Sequence, residues 1–369
     1  MRAYEKNVKV LHAALVANTP VILWGSPGTG KTATVEALGR HLDYKVFVVT
    51  GSTRDRTDFG GWPVVADGEV VVKPFPLIRE LVEAGERAIL FADEANTVEE
   101  LQAVFLGMFG ERRVGEWRFE ARIIGAANPP EQSVGGFPLP PPVANRLIHI
   151  DWEMDTATWA RGMREGFESI FPELAPSPEP AVLEAHQRAM QALVASYLER
   201  NPGSLNKVPE GEQAGKAWPS FRSWTLAAKF AGAAKALGYG LEVIAEGVVG
   251  AVGPDGRGFV NFLSQNDLPT PEEVLEDFGK LPKREDALFA TLMAVGAHVA
   301  SNWNQATWDR AWDLAAYVGQ RLNKMDIAVR LASHLARLYK EKSRKLQVRN
   351  TVFAFQPFVE KVQELIRGA

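Results

Sequence analysis

The chain has 369 residues and a mass of 40.5 kDa, which is enough for two or three domains with a sizeable core. It contains no cysteine, so disulfides, thiolate metal sites and a cysteine nucleophile are excluded, and six scattered histidines do not suggest a histidine-rich metal site. A formal net charge of −4 gives no overall attraction to nucleic acid or acidic membranes. Without a signal-peptide core or an apolar run of about 18 residues, a cytoplasmic protein with no membrane span is expected.

The first 150 residues alternate short apolar runs with amphipathic segments. Four of the runs predict buried strands, namely 21–24, 46–50, 88–92 and 123–127, and the segments 32–41 and 98–107 predict helices. This alternation is typical of an α/β fold in which helices flank a largely parallel sheet. Two further stretches predict inserted hairpins, one at 64–72 around Asp67-Gly68 and one at 112–120 turning near Gly115.

Helical patterns dominate after Ile150. Polar or proline-rich stretches at 171–180, 201–215 and 251–258 interrupt them and predict loops. Three domains follow from this change of character: an α/β core over 1–150, a helical domain over 151–268, and a C-terminal helical region over 269–369 of unknown role. In that last region, Trp303, Trp308 and Trp312 are expected to anchor helix packing, with a partner-docking patch as the alternative.

The first predicted strand runs directly into a glycine-rich loop. GSPGTGKT fits the pattern G-x-x-x-x-G-K-[ST] in full, with a strand before it and a helix after it. The glycines let backbone N–H groups curl around phosphate oxygens, and the helix presents its positive end to the same anion. Lys31 is expected to bridge the β- and γ-phosphates and Thr32 to ligate Mg²⁺. The nucleotide-binding residues are Gly25, Ser26, Pro27, Gly28, Thr29, Gly30, Lys31 and Thr32.

Two more strands end in polar residues that such a site needs. Asp93 and Glu94 follow the run 88–92, about sixty residues after the loop. Asp93 is expected to hold the Mg²⁺ shell and Glu94 to polarise the attacking water as a general base. An acidic pair alone is more typical of a solvated helix cap, but the preceding phosphate loop favours hydrolysis. Asn128 ends the run 123–127 and would orient the same water, unless it only begins an Asn-Pro turn.

These elements, with FPLPPPVANRLIHI at 137–150, resemble the AAA+ ATPases, specifically the MoxR-like group and its dynein-related relatives. The resemblance implies an ATP- and Mg²⁺-dependent ATPase whose core is followed by an all-helical lid, here 151–268. It nominates Arg146 as an arginine finger that reaches the neighbouring subunit's ATP site, the alternative being a surface arginine. It also nominates Arg222, in the first turn of a helix that Ser220 would cap, as a sensor arginine facing the γ-phosphate.

The predicted hairpins match inserts of the same group, at 59–76 and 111–120. The first insert places Asp58, Phe59, Gly60 and Trp62 near a central pore, where an aromatic side chain could grip a substrate. Packing of Phe59 and Trp62 in the core is an equally good alternative. Arg112 and Arg113 would face the neighbouring subunit or, as we prefer, solvent. The resemblance covers residues 8–265 and departs at Thr97, where the group has an arginine after Asp-Glu-Ile-Asn.

The resemblance implies a homo-oligomeric ring, expected to be a hexamer, that remodels a protein partner, commonly one with a von Willebrand A domain. The alternative is an AAA+ motor or loader directed at DNA or RNA. The acidic chain makes nucleic acid an unlikely partner, because Arg54 and Arg56 are offset by Asp55 and Asp58, and the basic run 337–349 is typical of a solvated helix face. Glu94, Arg146 and Arg222 together argue against a third possibility, a small-molecule kinase.

Overall fold

The structure is a computed structural model that describes residues 1–54, 57–66, 68–129, 137–265, 268–342 and 346–347. Asp55, Arg56, Asp67 and five residues of the basic run 337–349 lie outside the described residues. The strands are β1 Val21–Trp24, β2 Lys45–Thr50, β3 Trp62–Ala66, β4 Glu69–Lys73, β5 Ala88–Asp93, β6 Arg113–Val114, β7 Trp117–Arg118, β8 Arg122–Ala127 and β9 Ile148–Asp151.

The main sheet has five parallel strands in the order β2-β5-β8-β1-β9. All four residues of β1 are buried, because both of its neighbours and the helices on the two faces cover it. A strand buried on both faces shows a continuous apolar run and not an alternating one, which is why 21–24 could be found from sequence. The predicted α/β class with a parallel sheet is confirmed.

Helices occupy most of the remaining described chain. They are α1 Ala3–Ala17, α2 Lys31–Leu42, α3 Thr57–Gly60, α4 Pro76–Ala84, α5 Gln102–Glu111, α6 Pro141–Ala144, α7 Thr156–Glu165, α8 Pro180–Arg200, α9 Phe221–Ala236, α10 Leu241–Val252, α11 Gly256–Gln265, α12 Pro271–Glu276, α13 Glu285–Ser301, α14 Gln305–Ala316 and α15 Met325–Glu341. The break predicted at 251–258 is short, because a single 3-10 turn at Gly253–Asp255 separates α10 from α11.

Four strands lie where the sequence predicts them, and the fifth, β9, was missed. Its pattern is Ile148-His149-Ile150, which is too short to separate from the proline-rich segment before it. Both predicted hairpins are present. Val64 pairs with Val71 in the β3–β4 hairpin, and Val114 pairs with Trp117 in the β6–β7 hairpin.

The chain divides into two compact units. The first comprises Met1–Ala175, Pro202–Ala234 and Gly238–Val260, and the second comprises Pro176–Asn201, Lys235–Leu237 and the described chain from Asn261 onward. Helix α8 thus belongs with the later helices and packs on α13. The domain boundaries at 150 and 268 stay a prediction. Trp308 and Trp312 are buried inside the second unit, as expected of packing anchors. None of the described helices is both long and apolar enough to cross a membrane.

Candidate functional site

The candidate site lies where the carboxyl ends of the parallel strands meet. Gly25 follows β1, Asp93 ends β5 and Asn128 follows β8, three strands that are neighbours in the sheet. The register pairs Trp24 with Ala127, so Gly25 and Asn128 leave the sheet at the same level. Ligands of open α/β sheets bind at this edge, and the polar residues predicted from sequence are therefore brought together here.

The phosphate loop is held in shape by its own chain and by β9. Gly28 and Gly30 have φ of 77° and 81°, a left-handed conformation that side chains other than glycine's rarely adopt. Thr29 Oγ1 donates to the carbonyl of Ser26 at 2.8 Å. Gly25 has no room for a Cβ, which would lie 2.7 Å from the carbonyl oxygen of Trp152. Pro27 and Gly28 lie in the turn that the loop makes before α2.

Trp152 is a site residue that the sequence did not reveal. It follows β9, is 2% exposed, and its indole Nε1 donates to the carbonyl of Thr29 at 3.0 Å. Its backbone N–H also donates to the carbonyl of Trp24, the residue before the loop, at 2.6 Å. These bonds fix both ends of the loop against the edge strand of the sheet. The signal that could have found it is a tryptophan directly after an apolar run.

Lys31 occupies the centre of the loop and is 7% exposed. Its Nζ donates to the carbonyls of Gly25 at 2.5 Å and Ser26 at 3.0 Å, and to Asn128 Oδ1 at 3.5 Å. Burial lowers the pKa of Lys31, while the carboxylates of Asp93 and Glu94 raise it. The ammonium is thus placed near two acids and two backbone carbonyl oxygens, in the position from which the loop lysine can contact phosphate oxygens.

Thr32 and Asp93 are hydrogen-bonded to each other beside Lys31. Thr32 Oγ1 donates to Asp93 Oδ2 at 2.7 Å, and the backbone N–H of Glu94 donates to Asp93 Oδ1 at 2.9 Å. A hydroxyl and a carboxylate are hard oxygen ligands of the kind that Mg²⁺ prefers, and Mg²⁺ commonly uses one or two protein oxygens plus phosphates. The residues present therefore fit the predicted metal. Their assignment as metal ligands stays a prediction.

Glu94 sits in a tight turn immediately after β5. Its φ is 51°, and its carbonyl accepts from Thr97 N at 3.2 Å and from Thr97 Oγ1 at 2.9 Å. Gly51, at the end of β2, leaves the space that this carbonyl occupies, since a Cβ there would lie 2.6 Å from it. A non-glycine residue in this conformation is uncommon and concentrates at functional sites. Thr97, which stands where the related group has an arginine, fastens this turn.

Asn96 fixes the position of Asn128 and was not recognised from sequence as a site residue. The side chain of Asn96 is fully buried; its Nδ2 donates to the carbonyls of Asn128 at 2.9 Å and Phe137 at 3.1 Å, and its Oδ1 accepts from Asn128 N at 3.2 Å. Asn128, 9% exposed, is consequently held with its amide oxygen toward Lys31. The available signal was an amide residue two positions after Glu94.

A cavity of about 490 Å³ opens beside the phosphate loop. One wall is the face of α2 that carries Ala33, Thr34 and Ala37, and the others are mostly aromatic or apolar. The aromatic lining residues are Tyr4, Trp159, Phe167 and Phe171. Trp159 and Phe167 are about half exposed, although both are large and apolar. Such a concave, mostly apolar site next to a phosphate loop suits a nucleobase.

The segments that carry the two predicted arginines are joined by a hydrogen bond from Ser220 Oγ to Asn145 Oδ1. Arg146 donates from Nη1 to the carbonyl of Pro142 at 2.5 Å and lies over Gly110, where a Cβ would be 2.3 Å from its Nε. Burial lowers the pKa of Arg146, the positive charge of Arg222 lowers it further, and Glu111 opposes this. Arg222 is exposed in the first turn of α9, which Ser220 caps as predicted, since Ser220 Oγ accepts from Ser223 N at 3.1 Å. The arginine cluster (Arg146 and Arg222) thus has an electrostatic environment different from that of Lys31.

The candidate pore residues are divided between core and surface. Phe59, in α3, is 3% exposed and packs in the core beside α5, whereas Trp62, at the start of β3, is 61% exposed. Asp58 Oδ2 lies 4.0 Å from Arg54 Nη1, and Gly60 ends α3 at the surface. The core alternative therefore describes Phe59 in this conformation, and Trp62 is the exposed one of these two aromatic residues. The role of this segment as a pore loop stays a prediction.

Residues 20–147 match the sequence family described as the AAA domain of the dynein-related subfamily. This part of the chain is an AAA domain of the dynein-related kind. The predicted ATPase activity is thereby confirmed, and the phosphate loop, the acidic pair and Asn128 all lie within the matched residues. The roles assigned to individual residues stay predictions.

No curated protein matches this chain in sequence. Among solved structures, a candidate ATPase from Cytophaga hutchinsonii is 17% identical, with 71% of this chain and 89% of that chain covered and a TM-score of 0.45. A RuvB mutant from Thermotoga maritima is 14% identical, with 86% and 87% covered and a TM-score of 0.29. The family assignment rests on the domain match alone.

Proposed function

We propose that this AAA+ ATPase binds Mg-ATP at the phosphate loop and assembles into a homo-oligomeric ring, with six subunits expected. In this ring, Arg146 and Arg222 complete the nucleotide site of the neighbouring copy, and hydrolysis remodels a protein partner. One observation carries the proposal: beyond burial, which lowers the pKa of both side chains most, the charges that act on Lys31 are those of Asp93 and Glu94, whereas those that act on Arg146 are those of Arg222 and Glu111. The loop and the arginines therefore belong to two separate charge clusters.

Within one chain, the residues around Lys31 would bind the nucleotide and position the attacking water. Lys31 would turn its Nζ from the carbonyls of Gly25 and Ser26 to phosphate oxygens, and Thr32 and Asp93 would hold Mg²⁺, which neutralises charge on the phosphates. Glu94 would accept a proton from the attacking water, which typically contributes about 10²–10⁴-fold. Asn128, held by Asn96, would orient that water. The base would occupy the aromatic cavity beside α2.

The arginine cluster would supply additional positive charge to the γ-phosphate bound by the neighbouring copy. Charge on the γ-phosphate oxygens in the transition state calls for a cation, and an arginine delivered by a neighbouring molecule typically contributes about 10³–10⁵ in kcat. The positive charge of Arg222 lowers the pKa of Arg146, and an anion between the two arginines would remove that effect. A phosphate of the next copy is such an anion, so assembly and hydrolysis become coupled.

The ring is tested by mixing two inactive variants. Arg146→Ala keeps a complete loop but lacks the donated arginine, and Lys31→Ala keeps its arginines but cannot hold the phosphates. Each alone should show no ATPase activity above background, while an equimolar mixture should recover activity at interfaces where Lys31→Ala serves Arg146→Ala. Normal turnover by monomeric Arg146→Ala would contradict the ring mechanism.

The partner is identified by trapping the state before hydrolysis. Glu94→Gln with ATP should keep the nucleotide and hold a bound partner, whereas Lys31→Ala with ATP serves as the matched control that cannot load. Enrichment of one protein on Glu94→Gln alone supports the remodelling role, and the resemblance to MoxR-like proteins makes one with a von Willebrand A domain the expected candidate. Recovery of DNA or RNA with a salt-sensitive gel shift would instead favour the nucleic-acid motor.

A further inference from the structure

The side chain of Asn145 joins the segment that carries Arg146 to the segment that carries Arg222. It is 4% exposed, and both ends of its amide have partners on the second segment. Asn145 Nδ2 donates to the carbonyl of Trp218 at 3.1 Å, and Asn145 Oδ1 accepts from Ser220 Oγ at 2.6 Å. Because a donor and an acceptor are both used, the amide has one orientation only.

Ser220 transmits this link to the first turn of α9. Its Oγ accepts from the backbone N–H of Ser223 at 3.1 Å, and its backbone N–H donates to Ser223 Oγ at 2.8 Å. Ser223 is fully buried, and its hydroxyl also donates to the carbonyl of Trp218 at 2.8 Å. This reciprocal cap fixes the helix start relative to Asn145, and Arg222 lies within that start.

We propose that Asn145 is a positioning residue that holds Arg146 and Arg222 at one fixed spacing, as a paired cation for a phosphate of the neighbouring copy. The inference rests on the proposed ring. Two guanidinium groups repel each other, so their side chains would separate unless the backbones that carry them were fastened together. Asn145 fastens the two backbone segments together without adding a charge. A carboxylate at the same place would bind the arginines itself and would compete with the phosphate.

The opposite side of Arg146 is restrained as well. Its guanidinium donates to the carbonyl of Pro142, and its stem passes over Gly110 without room for a Cβ. Arg146 is therefore held by α5, by α6 and, through Asn145, by α9. A displacement of about 1 Å at a reacting group can cost about 100-fold in rate, so the loss of the Asn145 link should be measurable in turnover.

The test places Asn145→Ala in one partner of the mixed ring at a time. Added to the Lys31→Ala subunit, which donates arginines, it should lower the recovered ATPase activity by roughly 100-fold. Added to the Arg146→Ala subunit, which contributes only its loop, it should leave the recovered activity within about twofold, because that copy's arginine cluster is not used there. Asn145→Asp, which keeps the size and the acceptor for Ser220, should show the same asymmetry.

A buried asparagine that contacts the end of β9 provides the matched control. Asn7 is 2% exposed and donates from Nδ2 to the carbonyl of Asp151 at 3.0 Å. Asn7→Ala in the arginine-donating subunit should retain the recovered activity to within a few-fold. An equal loss with Asn145→Ala in either subunit would overturn the inference and leave the ring intact. No recovery in the unmodified mixture of Lys31→Ala and Arg146→Ala would instead contradict the ring itself.

Discussion

The two charged clusters of the first unit are built in opposite ways. Around Lys31, a cation lies among carboxylates and backbone oxygens, so the charges within one chain offset one another. Around Arg146, the positive charge of Arg222 is opposed by the carboxylate of Glu111, and the carbonyl of Pro142 accepts a hydrogen bond from Arg146. The difference teaches that Lys31 has two acids of its own chain to offset its charge, whereas Arg146 has a second arginine as well as Glu111 acting on it, which is the basis for proposing that the arginine cluster serves a neighbouring copy.

The largest expected effect is on nucleotide affinity, which should depend on Lys31 and not on the arginine cluster. Lys31→Ala should weaken binding of a non-hydrolysable ATP analogue by more than about 100-fold, because a charge-assisted contact to phosphate is lost from a buried site. Arg146→Ala should leave the affinity of the isolated chain within about twofold. Calorimetric titration of both variants provides the measurement. Equal losses in the two variants would mean that the clusters form one site within a chain.

Gly110→Ala should disturb the arginine cluster without destabilising the fold. A Cβ at Gly110 would lie 2.3 Å from Arg146 Nε, so the guanidinium must move, and kcat should fall by roughly tenfold to 100-fold. Alanine in place of glycine near the end of a helix also favours the helix by up to about 1 kcal/mol. Thermal unfolding should therefore show an unchanged or higher midpoint. A loss of stability parallel to the loss of activity would contradict this explanation.

Asn96→Ala should disturb the nucleotide cluster through Asn128. The substitution removes three hydrogen bonds of a fully buried side chain and leaves Asn128 N and the carbonyl of Phe137 without that partner. We expect a loss of about 1–3 kcal/mol in unfolding free energy and about a tenfold lower kcat, with analogue affinity nearly unchanged. Steady-state kinetics measure kcat, and titration with the analogue measures the affinity. A fall in affinity as large as the fall in kcat would show that Asn96 supports nucleotide binding and not the orientation of the attacking water.

The smallest effect concerns His149, which lies between the two clusters. Its Nδ1 accepts from Trp24 Nε1 at 2.9 Å, and its Nε2 donates to the carbonyl of Ala144 at 2.9 Å. Burial lowers the pKa of His149 to about 4. The unfolded chain therefore takes up a proton near pH 6.5 that the folded chain refuses until about pH 4, and stability falls as the pH falls through this window.

The slope expected from His149 is at most about 1.4 kcal/mol per pH unit. Urea unfolding between pH 4.5 and 7, followed by tryptophan fluorescence, should show this slope reduced by that amount in His149→Gln. The substitution should also lower the stability at pH 7, where the two hydrogen bonds of His149 are intact. A pH dependence identical in both proteins would show that His149 does not titrate in this window.

The sequence by itself determined the parts of the site that lie in contiguous runs. The loop 25–32, the pair Asp93-Glu94 and Asn128 each follow an apolar run, and a strand buried on both faces has a continuous apolar pattern that identifies it. The two hairpins were also predictable, because glycine in a short polar turn between apolar runs is a local signal. For these elements, the residues that decide the structure are neighbours in the chain.

Only the tertiary structure decided which distant residues meet. Trp152 fastens the loop, Asn96 fixes Asn128, Phe59 is buried, and Asn145 links the segment of Arg146 to that of Arg222. Each of these outcomes depends on packing and hydrogen bonds between segments far apart in sequence, and a single asparagine or arginine in a helix or turn has the same local pattern whichever partner it finds. Sequence therefore identified the phosphate site, and the fold alone separated it from the arginine cluster.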